Sequence, residues 1–433
     1  MSLTAIGLLG LAGLFFLIFL RVPIGIALAI AGSVGYFAIE GLTTTLFQLG
    51  SIPFGTAYNY DLSVIVLFVF MGNLALASGM SRDLYDMARA LVGHWRGGLA
   101  SATIVGCAGF AAVSGSSLAS AATMGRVSLP EMERYNYAPS LATGCVAAGG
   151  TLGILIPPST GFIVYAILTE ESIGRLFLAG VLPGILLTVL FMITISIITT
   201  FNPAAGPAVQ RKTTVEQLQT VWRSSALLFV ISVVIGGIYL GWFTPVEAAS
   251  VGAFLTLLLA IARRRLDWET FQDCVLQSIK TFAMVFMILI GAFIFNPFLA
   301  LTGIPQSLAE SIKALELSPL MLICLITVGY IILGTFLEGF AILVLTISIV
   351  FPMVVEAGFD PIWFGVLIVV VLEMGLISPP LGLNVFVVKG ITNVPMAQIF
   401  KGIIPFWIAM IVCAGLLIAF PDIALLLPQT MIR

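Results

Sequence analysis

The sequence predicts an all-α polytopic membrane protein made of two inverted-topology repeats, each with five crossings (one a broken helix) plus a re-entrant helical hairpin. Three observations lead there. Of the 433 residues, 60% are hydrophobic and only 9% are charged, against roughly 25% charged in soluble domains. The apolar runs are long, which favours helices over the short alternating segments of a barrel. A broken apolar segment also occurs twice, as Leu152-Gly153-Ile154-Leu155-Ile156-Pro157-Pro158-Ser159 and as Met374-Gly375-Leu376-Ile377-Ser378-Pro379-Pro380-Leu381.

That recurrence is part of a wider internal similarity. Sliding the chain by about 222–224 positions brings landmarks into register along nearly its whole length. Pro23 falls on Pro245, Gly79 on Gly303, and Ala90-Leu91 on Ala314-Leu315. Gly153 falls on Gly375, Pro157-Pro158 on Pro379-Pro380, Gly180 on Gly402 and Pro183 on Pro405.

Taken in order, membrane helices are expected at about 2–20, 23–41, 61–79, 140–168, 175–200, 223–241, 245–262, 280–302, 362–388 and 399–420. Residues 2–20 lack a basic leading region and run straight into Arg21. That fits a first transmembrane helix rather than a cleaved signal. Segments 42–58 and 264–279 are read as partly interfacial, the latter through an apolar stripe of Leu266, Phe271, Val275 and Ile279. The first repeat spans 1–200 and the second 223–433, with 201–222 as a cytoplasmic linker marked by Pro203, Gly206 and Pro207.

Regions 98–127 and 319–355 are assigned by charge. With both termini outside and each region counted as a hairpin, all 18 basic residues except Arg175, Lys313 and Arg433 lie in the cytoplasm. That is a strong positive-inside bias. A simple span at 98–127 would put Arg96 and Arg126 on opposite sides and lose it. An odd number of crossings per half then turns the second half upside down.

Pro inside a membrane helix removes a backbone donor and clashes with the preceding turn. Lipid cannot satisfy the freed carbonyls, so irregular backbone at that depth lines protein or a wet cavity. Two matched breaks are the sequence pointer to the binding site of a secondary transporter. The first hairpin turns at Ser114, Gly115, Ser116 and Ser117, facing Gly150, Thr151 and Gly153. Hydroxyls and bare carbonyls are the hard oxygen ligands that Na⁺ requires, although small residues also serve plain close packing.

The second hairpin turns near Thr335, Glu338 and Gly339, opposite Glu373, Gly375 and Ser378. Intramembrane carboxylates are costly unless paired, protonated or on a pathway. Glu338 and Glu373 therefore either ligate a cation, shuttle a proton or hold the turn. Glu247, at the start of its helix, reads as structural. Half-helix N-termini favour anions, which makes Ser116, Pro158, Ser159, Thr160, Pro380, Gly382 and Asn384 the candidate substrate contacts. No basic residue is evident deep in the membrane.

Other chemistries lack their residues. The sequence has no G-x-x-x-x-G-K-[ST] run for ATP hydrolysis and no H-E-x-x-H zinc signature. Five scattered cysteines and one histidine, His94, offer neither redox nor metal spacing. No cofactor is expected beyond Na⁺ as coupling ion.

The run Gly149 to Ser159, with its continuation through Tyr165, Ser172-Ile173-Gly174 and Gly180 to Pro183-Gly184, resembles the signature of the large membrane subunit of TRAP (tripartite ATP-independent periplasmic) transporters. Met374 to Pro380, with Asn384, is similar to that family's second signature. The resemblance implies a DctM-type, Na⁺-driven elevator permease of the ion-transporter superfamily in a bacterial or archaeal inner membrane. It implies two partners, a periplasmic substrate-binding protein and a small four-helix membrane subunit. Because the chain opens directly on the repeat, that subunit is expected on a separate polypeptide. The family's two ion sites carry over to Ser114–Ser117 with Gly150-Thr151, and to Thr335, Glu338, Gly339, Glu373 and Gly375.

The expected function is thus uptake of a small organic acid such as a dicarboxylate, sugar acid or sialic acid. A stand-alone Na⁺- or H⁺-coupled dicarboxylate, citrate or oxyanion carrier is the rival. A membrane-embedded acid–base enzyme using Glu338 and Glu373 is a third reading, but it lacks a nucleophile or metal set. A structural scaffold leaves the matched breaks unexplained.

Overall fold

The computed structural model describes residues 2–314 and 316–431. The pairing of Leu91 with Leu315 and the outer placement of Arg433 lie outside the described residues. The chain is 83% helical and has no strands among the described residues. In the first half run α1 (Leu3–Phe19), α2 (Ile24–Glu40), α3 (Leu42–Ala57), α4 (Ser63–Ala77) and α5 (Met80–Val92). They are followed by α6 (Gly98–Ser114), α7 (Ser117–Arg134), α8 (Pro139–Leu155), α9 (Thr160–Thr169) and α10 (Ile173–Phe201). The second half holds α11 (Thr214–Tyr239), α12 (Pro245–Ala262), α13 (Trp268–Leu301), α14 (Ile304–Ala314) and α15 (Pro319–Gly334). It ends with α16 (Gly339–Glu356), α17 (Pro361–Leu376), α18 (Leu383–Ile391), α19 (Met396–Ala419) and α20 (Asp422–Thr430).

Seven helical stretches among the described residues are long and apolar enough to cross a bilayer, α4 counting with the turn Tyr60–Leu62 that leads into it, and α8 with α9, bent by 40°, makes an eighth. Five further apolar helices, α1, α2, α6, α15 and α17, have 10–17 residues. Each expected span coincides with a helix or a broken pair. The two expected hairpins are α6–α7 and α15–α16, and α16 is itself as long as a span. Helices α6 to α10 begin at residues 98, 117, 139, 160 and 173, and α15 to α19 at 319, 339, 361, 383 and 396. The spacing between the two series is nearly constant.

Two boundaries differ from the sequence reading. Helix α11 starts at Thr214 rather than near 223, because Thr213 and Glu216 form a capping box that satisfies the first amides. The irregular linker is correspondingly shorter. Segment 264–279 is continuous with the following span from Trp268 onward. Asp267 caps a continuous 34-residue α13, since no Gly or Pro interrupts the run before Gly291. Glu247 is structural as expected: its carboxylate accepts the Thr244 amide at 2.8 Å in a second capping box.

Three helices lie outside the sequence reading. Helix α5 is amphipathic, burying Met80, Leu84, Tyr85 and Ala88 on one face, and α14 and α20 are short. Charges tie α5 to its neighbours. Arg89 pairs with Glu131 of α7 at 2.8 Å, and Asp83 pairs with Arg263 at the end of α12.

Packing pairs helices of the two halves. Helix α2 packs on α13, and α12 packs on α4. Gly25 and Gly291 let the first pair approach to backbone contact, the small-residue route to close helix packing in membranes. The hairpin α6–α7 packs on α8, and α15 and α16 pack on α17. Helix α19 packs on α8 and α10 on α17, so the two halves interlock around the broken helices.

Candidate functional site

The candidate site is built from the two hairpin turns and the segments around the two breaks. In the first half, α6 ends at Ser114 and the chain reverses through Gly115, whose φ of 58° is the left-handed conformation that favours glycine. Ser116 then caps α7, accepting the Ala119 amide at 3.4 Å. The turn is held from both sides. The Ser114 and Ser120 hydroxyls lie 2.8 Å apart, and Thr160, on the far side of the break, donates its hydroxyl to the Gly115 carbonyl at 2.7 Å.

Helix α8 stops at Leu155 because Pro157 and Pro158 follow, and α9 restarts under the cap of Ser159, which accepts the Phe162 amide at 3.3 Å. The Pro157–Pro158 and Pro379–Pro380 peptide bonds are both cis. Gly150 and Gly153 are the contact points with the hairpin. A Cβ on Gly153 would lie 2.5 Å from the Ser116 carbonyl oxygen, and one on Gly150 3.1 Å from that of Ser117. The Thr151 hydroxyl donates to Ala148 in its own helix at 2.6 Å, so its remaining lone pairs are what it offers a cation.

In the second half, α15 meets α17 at Gly334 and Gly375. A Cβ on Gly375 would fall 2.5 Å from the Gly334 Cα. Thr335 donates to Ile332 within its own helix at 2.7 Å. Glu338 and Gly339 open α16. Ser378 donates to Met374 at 2.6 Å and accepts the Trp407 indole N–H at 2.9 Å. Gly382, in left-handed conformation, starts α18. Pro380 is exposed, whereas Pro158 is buried.

Two contacts join the halves at the centre. Ser117 donates to the Glu373 carboxylate at 2.6 Å, and Asn384 donates to the Ala147 carbonyl of α8 at 3.3 Å. Glu373 is 2% exposed, and its second oxygen, Oε2, lacks a hydrogen-bond partner, as does Oδ1 of Asn384. Glu338 and Glu373 line one cavity of about 30 Å³ with Ile154 and Gly161 of the first half. A cavity of this size holds a water or a small cation.

The donor set here is hydroxyl, carbonyl and carboxylate oxygen throughout. It fits a hard cation and has none of the N or S ligands of a zinc site. No cluster of three or more His, Cys, Asp or Glu occurs among the described residues. Thus the structure brings Ser117 and Glu373, assigned by sequence to different ion sites, into direct contact. Thr335 and Ser378 instead border a separate crevice beside the second break, together with Lys401 and Trp407. The sequence reading singles out neither of these last two. Lys401 reads as one more cytoplasmic charge until α19 is packed beside the break.

Known proteins supply the context. Residues 11–423 match the family model described as tripartite ATP-independent periplasmic transporter, DctM component. The C4-dicarboxylate TRAP transporter large permease protein DctM of Pseudomonas aeruginosa is 37% identical over 395 residues, 90% of this chain and 92% of that protein. The sialic acid TRAP transporter large permease protein SiaM of Vibrio cholerae is 30% identical over 415 residues, covering 95% and 96%. Among solved structures, the Alcanivorax borkumensis YdaH transporter matches with a TM-score of 0.63 at 14% identity, over 87% of this chain and 88% of that one. This last likeness is one of fold.

Proposed function

The chain belongs to the DctM component family of tripartite ATP-independent periplasmic transporters, and from that premise we propose that it is the large permease subunit of a Na⁺-coupled importer of a small organic acid. In this reading a periplasmic binding protein delivers the substrate, and a small four-helix membrane subunit completes the complex in the inner membrane. The two halves are inverted repeats with both termini outside. The hairpins and broken helices move together as an elevator against α1–α4 and α11–α13.

The observation that carries the reading is the meeting of the first hairpin turn, the segments flanking the first break and the start of α16 at a buried carboxylate with a free oxygen. Ordinary core packing does not call for Glu373 there, because an ionised group that deep is expensive. A cation beside Glu373 and Ser117 offsets that cost and makes assembly of the site depend on ion binding. Relatives named for C4-dicarboxylate and sialic acid carriage support an organic acid as cargo. Half-helix N-termini at Ser159 and Gly382 supply amides for its carboxylate.

The test is uptake into vesicles holding this chain and its small subunit, with an imposed Na⁺ gradient and a loaded binding protein. Uptake is expected to collapse when either gradient or binding protein is omitted. Ser116→Ala with Ser117→Ala is expected to raise half-saturating Na⁺ at least fivefold with the protein still inserted. Unchanged Na⁺ dependence removes the ion assignment, and uptake without any binding protein replaces the reading by that of a stand-alone carrier.

A further inference from the structure

Two crevices flank the two breaks. The first, about 530 Å³, is bordered by α6, the first Pro pair, α10 and a wall from α11. The second, about 590 Å³, is bordered by α15, the second Pro pair and α19, and no helix in the α11 position closes it. Their linings correspond along the sequence at one spacing: Ile156 matches Ser378, Pro157 matches Pro379, Val181 matches Ile403 and Ile185 matches Trp407. At the same spacing Ala179 is matched by Lys401.

Matched halves that only need to pack would keep matched apolar residues. Here three exchanges, from Ile156, Ile185 and Ala179 to Ser378, Trp407 and Lys401, place polar atoms at one crevice. The Trp407 indole is fixed by its bond to Ser378. Lys401 lies six residues earlier on α19, about 9 Å along the axis at 1.5 Å per residue, and its side chain borders the same crevice. The two ion pairs among the described residues involve other side chains, so its charge is free to meet a ligand. A crevice of this size, apolar with a few convergent polar groups, has the character of a small-molecule site.

We propose that this crevice is a holding site for the transported organic acid beside the second break. Lys401 takes the carboxylate or sulfonate as a compact point charge. Phe400, Ile404 and Trp407 cover the carbon skeleton. The proposal rests on the organic-acid reading and adds a substrate-binding residue to it.

The whole transporter in vesicles is assayed first with succinate and N-acetylneuraminate, each with a matching binding protein. If wild type carries neither, the functional reading falls and this proposal with it. If wild type carries one, Lys401→Gln is expected to slow uptake of that acid at least tenfold at saturating loaded binding protein. Lys401→Arg is expected to retain a third of the rate or more. Lys401→Cys, with exposed Cys324 replaced by Ala, is expected to recover on aminoethylation and not on sulfonatoethylation. The transported acid should slow that labelling at least fivefold. A full rate in Lys401→Gln overturns the proposal. So does charge rescue without substrate protection, which marks a lysine that merely anchors α19 at the interface or contacts lipid.

Discussion

The two breaks share a sequence pattern but differ in how they are enclosed. At the first, Pro157, Pro158, Ser159 and Thr160 are all buried, and Thr160 grips the hairpin carbonyl of Gly115. At the second, Pro379, Pro380 and Leu381 are exposed, and Phe336 on the hairpin turn is 61% exposed. The neighbouring long helix explains the contrast. Helix α10 presents Gly180 to Phe162 and Leu155, and Gly184 to Ile156. At the corresponding positions α19 carries Gly402, which meets Ser140 of α8 instead, and bulky Phe406. The Pro pair thus encodes the bend, while glycines one helix away encode whether the bend is covered.

The largest expected effect comes from the glycines where hairpin and broken helix touch. Gly153→Ala and Gly375→Ala each force a methyl into backbone, at 2.5 Å from Ser116 and from Gly334. Both are expected to cut uptake more than tenfold. Stability should separate them. The first hairpin is enclosed, so Gly153→Ala carries an overpacking cost of about 1–3 kcal/mol and lowers Tm in detergent by several degrees. The half-exposed second hairpin can shift aside, so Gly375→Ala should lower Tm by less than half as much. Equal losses of Tm would mean that the two hairpins are equally confined.

Much of this site is legible in the sequence. Pro has no backbone N–H and clashes with the preceding turn, so both breaks and their flanking half-helices follow from four residues. The hairpin turns follow from Ser-Gly-Ser-Ser and from the basic residues that bracket 98–127. What cannot be read is which side chains meet across halves. The Ser117–Glu373 contact spans residues far apart in sequence, and apolar membrane helices carry little periodic signal to fix their rotation. Helix α5 escapes because its charged face resembles a loop until Leu84, Tyr85 and Ala88 are seen on one side. Lys401 escapes for a similar reason, since a basic residue near a helix start ordinarily marks the interface.

A change of intermediate size would convert one break into the other. Gly184→Phe copies the residue found at position 406 and removes the space that Ile156 occupies. It is expected to pry open the first break. Ser159→Cys should then react with a membrane-impermeant thiol reagent in detergent, whereas with Gly184 retained it should stay protected. Leu381→Cys, already exposed, is expected to react in both, with Cys324 replaced throughout. Persistent protection of Ser159→Cys in the Gly184→Phe background would show that the enclosure comes from the hairpin rather than from α10.

The finest distinction lies in two threonines. Thr160 reaches across the break to Gly115 at 2.7 Å, while Thr335 bonds only to the preceding turn of its own helix. Thr→Val keeps the shape and deletes the hydroxyl. Thr160→Val leaves a buried carbonyl with only a long 3.5 Å amide contact and is expected to cost about 1–3 kcal/mol. Thr335→Val, at a half-exposed helix end, is expected to stay within about 0.5 kcal/mol. Hydrogen exchange at the amides of residues 114–120 should accelerate in the first variant and remain unchanged at 335–341 in the second. Faster exchange at both turns would mean that Thr335 makes a contact across the second break in solution, and the second break would then be covered for part of the time.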